Sequence, residues 1–183
     1  MRNKFFRNFD FDKYRAAINS KEEVVKVFNQ LYQIRWEINK QDEIKFFLES
    51  NNNQVAKRKE ILLKFIAAFL SDVSVYTVAI LFFLIQEGSF QKLGYFINVL
   101  KIYFAQEANL MMVEVISRFD IEENNLKIYK ASLEFIYQKE VEYIFRERES
   151  LIGGFILRWH TGEIDLSVKR KLKKMKLLIE QGR

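Results

Sequence analysis

Residues 151–174 read LIGGFILRWHTGEIDLSVKRKLKK, and the rhythm of apolar residues changes twice within them. From Gly154 to Trp159 the apolar side chains Phe155, Leu157 and Trp159 alternate, the period of a half-buried strand. A turn at His160-Thr161-Gly162 sends the chain back through Ile164. After Ser167 the spacing becomes three and four, so a final helix is expected with Ser167 as its cap. Val168, Leu172, Met175 and Ile179 form its stripe, expected to be buried while the lysines face outward. Gly153-Gly154 is too short for a phosphate loop, because no third glycine follows and the pair enters a strand instead of opening a helix. Its physical reading is close backbone packing or a positive φ at the strand entrance.

Upstream, Val113 and Val115 flank Glu114, and Val141, Tyr143 and Phe145 alternate with Glu140, Glu142 and Arg146. Both segments read as half-buried strands. The helix between them is expected to open on a capping box of Asp120 and Glu123 and to carry Leu126, Tyr129, Leu133 and Ile136 on one face. Before residue 110 the periodicity is helical throughout. Phe11, Tyr14 and Ile18 share a face; Ser20 and Glu23 form a capping box ahead of Val24, Val27, Phe28, Leu31 and Ile38. A short segment on Ile44, Phe47 and Leu48 ends in Asn51-Asn52-Asn53, and a fourth helix follows on Leu62, Phe65, Ile66 and Phe69. A fifth, fully buried helix is expected after a cap at Ser71 or Asp72, ended by Gly88. Ser89 then starts a sixth on Leu93, Phe96, Ile97, Leu100 and Phe104. The expected fold is therefore α+β: an N-terminal six-helix bundle over residues 1–109 and a small C-terminal α/β domain of strands and helices over 110–183. No flexible linker stands between them near Ala108 to Leu110.

Composition narrows the function. The chain of 183 residues is 49% hydrophobic with 18 Phe, enough for a real core. With no Cys, thiolate metal sites, cysteine nucleophiles and disulfides are excluded. The N-terminal MRNKFFRNFDFDKY lacks a secretory apolar core. The longest apolar run, Val73 to Ile85, falls short of the roughly 18 residues that cross a bilayer, so no membrane span is expected. Zero Pro and abundant Phe, Ile, Lys and Asn fit an AT-rich bacterial genome. The net charge of +6 is local: residues 168–183 hold seven bases (Lys169, Arg170, Lys171, Lys173, Lys174, Lys176, Arg183) against Glu180. The rest of the chain is neutral. That run admits three readings: a solvated helix face, a surface for an acidic protein, or contact with nucleic acid or anionic lipid. It lacks the interleaved aromatics that stack on single strands. A nucleophilic Ser167 would need a base, and the single His160 lies in a hairpin turn with no geometry that brings the two together. Asp165 and Ser167 read instead as satisfying the amides at the last helix's start. No catalytic residue, cofactor site or metal cluster is expected.

The order of these pieces resembles the delta subunit of bacterial ATP synthases, equivalent to mitochondrial OSCP. That family has a Leu-Ile-Gly-Gly entrance, an apolar strand, Asp-Gly-Ser, and a helix with leucines five and eight residues after the serine. Leu151, Ile152, Gly153, Gly154, Asp165, Ser167 and Leu172 match, and Met175 takes the second leucine position. The departure is Leu166, where the family commonly has glycine. Lys13-Tyr14-Arg15-Ala16-Ala17-Ile18 resembles the family's first helix, and Gly88 sits where the family has a glycine between helices five and six.

The resemblance implies a non-catalytic connector between the alpha/beta catalytic head of a rotary F-type ATPase and its peripheral stalk, resisting rotor torque. It places Tyr14, Ala17 and Phe83 in a groove for N-terminal segments of alpha subunits. It gives the C-terminal domain a b-type stalk partner, for which the basic helix (Lys169, Arg170, Lys171, Lys173, Lys174, Lys176) is the candidate surface. It also implies a single copy in a hetero-oligomer, peripheral on the cytoplasmic face of a bacterial membrane. Two alternatives stand beside this. One is the same subunit type in an F-type-like ATPase repurposed for a mechanical task such as gliding motility. The other is a basic nucleic-acid or membrane-surface binding module.

Overall fold

The computed structural model describes residues 6–18 and 20–181. The side chains of Glu123 and Gln181 lie outside the described set, and with them the capping role expected for Glu123; so do the first five residues and Arg183. The chain divides into two compact units, Met1–Leu100 and Lys101–Arg183. Its class is α+β, with eight α-helices and one four-stranded sheet among the described residues.

The first unit contains α1 (Phe11–Ala17), α2 (Lys21–Asn39), α3 (Asp42–Glu49), α4 (Val55–Ala67), α5 (Val75–Gln86), a single 3-10 turn (Phe90–Lys92) and the start of α6 (Leu93–Glu107). α2 packs on α3 and α5, and α4 packs on both of those neighbours. The stripes read from the sequence are in place: Val24, Val27, Phe28, Leu31 and Ile38 on α2 are buried, as are Leu93, Phe96, Ile97, Leu100 and Phe104 on α6. Ser20 caps α2 by accepting the Glu23 amide at 3.1 Å, and the Glu23 carboxylate accepts the hydroxyl of Ser74.

That contact bears on a correction. α5 begins one turn's reach beyond Ser71 and Asp72, with Ser74 as its cap accepting the Tyr76 amide at 3.2 Å. Asp72 is used elsewhere, taking Lys26 Nζ at 2.7 Å. Buried Gln30 organises the turn: its Nε2 donates to the Asp72 carbonyl, and its Oε1 accepts from the Ser74 amide and the Thr77 hydroxyl. A glutamine from α2 thus pairs the polar groups that α5's start would otherwise leave buried and unmet. At the other end Gly88, at φ +60°, closes α5 while the Ser89 amide reaches back to the Leu84 carbonyl at 2.8 Å.

Arg58 of α4 is 1% exposed. Its guanidinium donates twice to the Leu48 carbonyl, with Nε at 3.0 Å, and through Nη1 to the Ile85 carbonyl and Asn51. Those carbonyls lie at the C-terminal ends of α3 and α5, where helix dipoles leave partial negative charge. One cation therefore ties two helix ends together, and a stripe-based reading of α4 passes over it.

The second unit holds the end of α6, β1 (Leu110–Ser117), α7 (Glu123–Tyr137), β2 (Glu140–Glu147), β3 (Phe155–Trp159), β4 (Gly162–Asp165) and α8 (Val168–Gln181). The sheet order is β2-β1-β3-β4. β1 runs parallel to β2, with Met111 opposite Val141 and Val115 opposite Phe145, and antiparallel to β3, with Val115 opposite Leu157. A parallel pair needs a crossover, which α7 supplies. Asn109 (φ +53°) and Gln138 (φ +52°) take the left-handed conformation just after α6 and α7, releasing the chain into β1 and β2.

One face of the sheet buries Met111, Val113, Val115, Val141, Leu157 and Trp159 with Leu126 and Leu133 of α7. Two expectations are corrected here. α7 starts at Glu123 with Glu122 as its cap position, two residues past Asp120, and its inner face ends on Tyr137, while Ile136 is exposed. β1 is buried on both faces, not half-buried: Leu110, Met112, Glu114 and Ile116 are as covered as Met111, Val113 and Val115. A central strand covered on both faces reads as a near-continuous apolar run, which LMMVEVI is apart from Glu114.

Candidate docking surfaces

The residues expected in the N-terminal groove fall on two neighbouring elements. Tyr14 and Ala17 lie on α1, and Phe83 lies on α5. Tyr76, seven residues before Phe83 and so on the same side of α5, links them to α1: its ring stands 6.1 Å from that of Tyr14 and its hydroxyl donates to the Ala17 carbonyl. Phe9 bridges the rest, with its ring 5.3 Å from Tyr14, 5.0 Å from Phe83 and 5.0 Å from Phe96. These rings, edge-to-face except for the tilted pair of Phe9 and Tyr14, form a continuous aromatic wall. Tyr14 is buried in it, Phe83 half-buried, and Ala17 exposed. Burial holds the Tyr14 phenol protonated far above its ordinary range, with Glu23 adding to the effect. Sequence reading passes over Phe9 and Tyr76; the seven-residue interval from Tyr76 to Phe83 is the signal that marks the second.

α5 is also corrected. It is apolar on all sides yet not fully buried: Thr77, Ile80, Leu81, Leu84 and Ile85 are buried, while Val75 and Ala79 are exposed and Phe82 and Phe83 half-covered. The outward residues recur at four and three or four, one stripe of the helix.

In the second unit, Glu114 of β1 is 3% exposed and bonds two cations. Lys101, on the last turns of α6, donates to its Oε1, and Arg146 of β2 donates to its Oε2 at 2.6 Å. Lys139 donates to the Ala105 carbonyl, adding a second tie to the same stretch of α6. Glu114 thus joins α6, β1 and β2. Within the cross-strand alternation it read as the polar, outward position.

The family-like hairpin is explained atom by atom. Gly154 has φ +73°, and a Cβ there would stand 2.4 Å from the Leu166 carbonyl, so only glycine fits. Gly153 is looser, its nearest neighbour Val168 Cγ2 at 3.2 Å. Leu166 sits outside the left-handed region, its amide donating to the Phe155 carbonyl at 2.9 Å, so the strand-to-helix handover proceeds without a glycine there. Asp165 Oδ1 accepts the Ser167 amide at 2.9 Å, and the Ser167 hydroxyl accepts the Arg170 amide at 3.3 Å. Hydrogen bonds from Ser167 hold the Asp165 carboxyl below its ordinary value. Partial burial, with Lys139 and Lys101 nearby, pushes the His160 imidazole down, and its neutral form dominates at pH 7. Ser167 is thus employed as a helix cap.

α8 overturns the expectation of a buried stripe. Leu172 is 56% exposed, Met175 59% and Ile179 66%, and Lys169, Arg170, Lys171, Lys173, Lys174 and Lys176 are exposed as well. Only its first turn is held, by the Val168 amide on the Gly153 carbonyl at 3.0 Å. The amphipathic pattern is real; the surface it would cover is not part of the described chain. Among the described residues no group of three or more His, Asp or Glu is placed to hold a metal, and no helix is long and apolar enough to cross a membrane.

Apolar side chains are thus left exposed on both α5 and α8. The chain belongs to the ATP synthase delta (OSCP) subunit family, whose model matches residues 14–179. The ATP synthase subunit delta of Sulfurihydrogenibium sp. (strain YO3AOP1) is 40% identical to it over 62 residues, a stretch that spans 34% of this chain and 34% of that protein. A chain in a cryo-EM structure of the Toxoplasma gondii mitochondrial ATP synthase hexamer, 15% identical, superposes with a TM-score of 0.48 over 92% of both chains.

Proposed function

We propose that this protein is a non-catalytic connector of a rotary F-type ATPase, joining the alpha/beta head to the peripheral stalk so that the head resists rotor torque. Family membership supports the reading. The observation that carries it is α5, whose Val75 and Ala79 are exposed and Phe83 half-covered, with Tyr76 of the same helix bonded to the carbonyl of the exposed Ala17 on α1. An amphipathic helix laid in a groove needs this pairing of small and apolar anchors. In this reading residues 1–109 act as a six-helix bundle gripping an alpha-subunit N-terminal segment. Residues 110–183 engage a b-type stalk subunit, with the basic helix α8 toward the stalk. One copy serves each complex, peripheral on the cytoplasmic face of a bacterial membrane.

Affinity purification of the full chain from cells at moderate salt tests this. Alpha and beta ATPase subunits are expected to co-purify with the wild type and to be lost with Ala17→Arg, which places a long cation in the groove mouth. Absence of both subunits from the wild-type eluate would sink the reading, and so would ATP hydrolysis by the purified chain alone.

A further inference from the structure

Resting on the reading of α1 and α5 as a docking groove and extending it, we infer that the chain closes one end of that groove itself. A partner helix then takes its apolar anchors only from the end that holds Val75 and Ala79. Val75, Ala79, Phe82 and Gln86 are spaced four, three and four and share the outward side of α5. Along that line the exposure is uneven. Val75 is 71% exposed and Ala79 is exposed, whereas Phe82, further along the helix, is half-covered, as is Phe83 beside it. Two separate segments supply the cover. Lys59 of α4 sets its ammonium 4.9 Å from the centre of the Phe82 ring and donates to Gln86 Oε1 at 3.4 Å. Phe9, ahead of α1, stands edge-on to Phe83 at 5.0 Å.

Phe9 is held in place from both sides. Phe6 is 2% exposed, its ring lies 4.7 Å from that of Phe96, and its carbonyl accepts the Phe9 amide at 3.1 Å in a tight turn. Asn8 donates at 3.0 Å to the carboxylate of Glu87, just past the end of α5, and Asp10 caps α1 by accepting the Lys13 amide at 2.9 Å. Phe9 lies between these ties and packs on Tyr14 and Phe96 as well. Lifting its ring off Phe83 would pull on the turn to buried Phe6 and on the α1 cap, so it acts as an end wall. The rim of the closed end is polar, with Lys59, Gln86, Asn8 and Glu87. The open end offers Val75, Ala79 and Ala17, and the Tyr76 hydroxyl is already used on the Ala17 carbonyl. From Val75 to Ala79 is about 6 Å, little more than one turn, at the rise of an α-helix. The alpha-subunit segment that fits this surface carries a short apolar stripe and turns polar where it passes Gln86.

Matched insertions of charge into the full chain test this, with a synthetic peptide copying the N-terminal segment of the alpha subunit from the same ATPase as the probe. Ala79→Arg and Gln86→Arg each place one arginine at an exposed position on the same side of α5. Both change net charge in the same direction, and helix content is checked by circular dichroism. Ala79→Arg is expected to weaken peptide binding roughly tenfold or more, and Gln86→Arg by no more than about twofold. Removing the cover with Phe9→Ala/Lys59→Ala is expected to let the peptide reach further along α5, so that adding Gln86→Arg then costs about fivefold. Lost packing alone would lower affinity without making position 86 matter. Should that double variant not fold, Lys59→Ala, a surface change, opens the Phe82 side by itself and is read in the same way. Equal losses from Ala79→Arg and Gln86→Arg in the otherwise unchanged chain would mean a groove open along its whole length, overturning the inference and leaving the alpha-subunit reading intact. Peptide binding untouched by Ala79→Arg would overturn it as well, and so would a Gln86→Arg change that stays silent once the cover is gone. A wild-type chain that does not bind the peptide at all would remove the alpha-subunit reading and the inference together.

Discussion

The two ends of the second unit invert the usual distribution of side chains in opposite senses. At β1 a carboxylate and a lysine are buried, Glu114 at 3% and Lys101 at 5% exposure, with Arg146 half-covered beside them. At α8 the leucines, methionine and isoleucine of a regular stripe stand in water. Burying charge costs several kcal/mol per ion unless each is paired and hydrogen-bonded, and Glu114 meets that condition with cations on both oxygens. Exposing apolar surface forgoes about 25 cal/mol per Å² and is maintained where another molecule recovers it. The first region is therefore finished within the chain, and the second leaves its apolar stripe open among the described residues.

The comparison breaks most sharply at Glu114. Glu114→Ala is expected to cost about 3 kcal/mol or more in urea unfolding, because it strips the shared carboxylate from two cations in a covered site. Glu142→Ala removes a half-exposed partner of Lys130 on neighbouring β2, and its expected cost is under about 1 kcal/mol. Equal costs for the two would mean that burial does not set the value of the Glu114 network.

The same contrast explains which features the sequence makes legible. Periodicity identifies every long helix and the strands β1 to β3, and the turn at His160-Thr161-Gly162 implies the return strand β4, because stripes of three and four, or alternation by two, are properties of the chain itself. The Ser20 cap, the Gly88 stop and the Asp165-Ser167 handover are local too, and read correctly for that reason. What escapes is what depends on a distant neighbour. Glu114 looks like the wet side of a strand until Lys101 and Arg146 are brought to it, thirteen and 32 residues away. Gln30 and Arg58 look like surface polar residues until helix ends from elsewhere need their hydrogen bonds. In the candidate groove Phe9 bridges Tyr14 and Phe83, and on α7 a stripe assigns Ile136 to a face that Tyr137 fills. For α8 the period is legible but the burial is not, since the stripe says which residues share a side and not what lies against it.

A second prediction sharpens the line between the finished and the unfinished part of this unit at the glycine pair where they meet. Gly154→Ala forces a side chain into the left-handed region and onto the Leu166 carbonyl, an expected loss of about 1–3 kcal/mol by thermal or urea unfolding. Gly153→Ala meets only the tip of Val168 at 3.2 Å and is expected to cost less. If the order of the two were reversed, the strained hairpin would not be what sets α8's point of departure.

The smallest effect on stability is expected on α8, whose apolar stripe stands exposed. Leu172→Ser/Ile179→Ser removes two large aliphatic side chains, a change that inside a core would cost several kcal/mol through lost burial and the cavity left behind. On α8 both are more than half in water already, so the unfolding midpoint is expected to move by no more than the ±0.5 kcal/mol typical of surface substitutions. Solubility should rise, since the exposed patch shrinks. A loss comparable to that of Glu114→Ala would mean that the stripe is covered within the chain, and α8 would then join β1 among the parts the protein completes by itself.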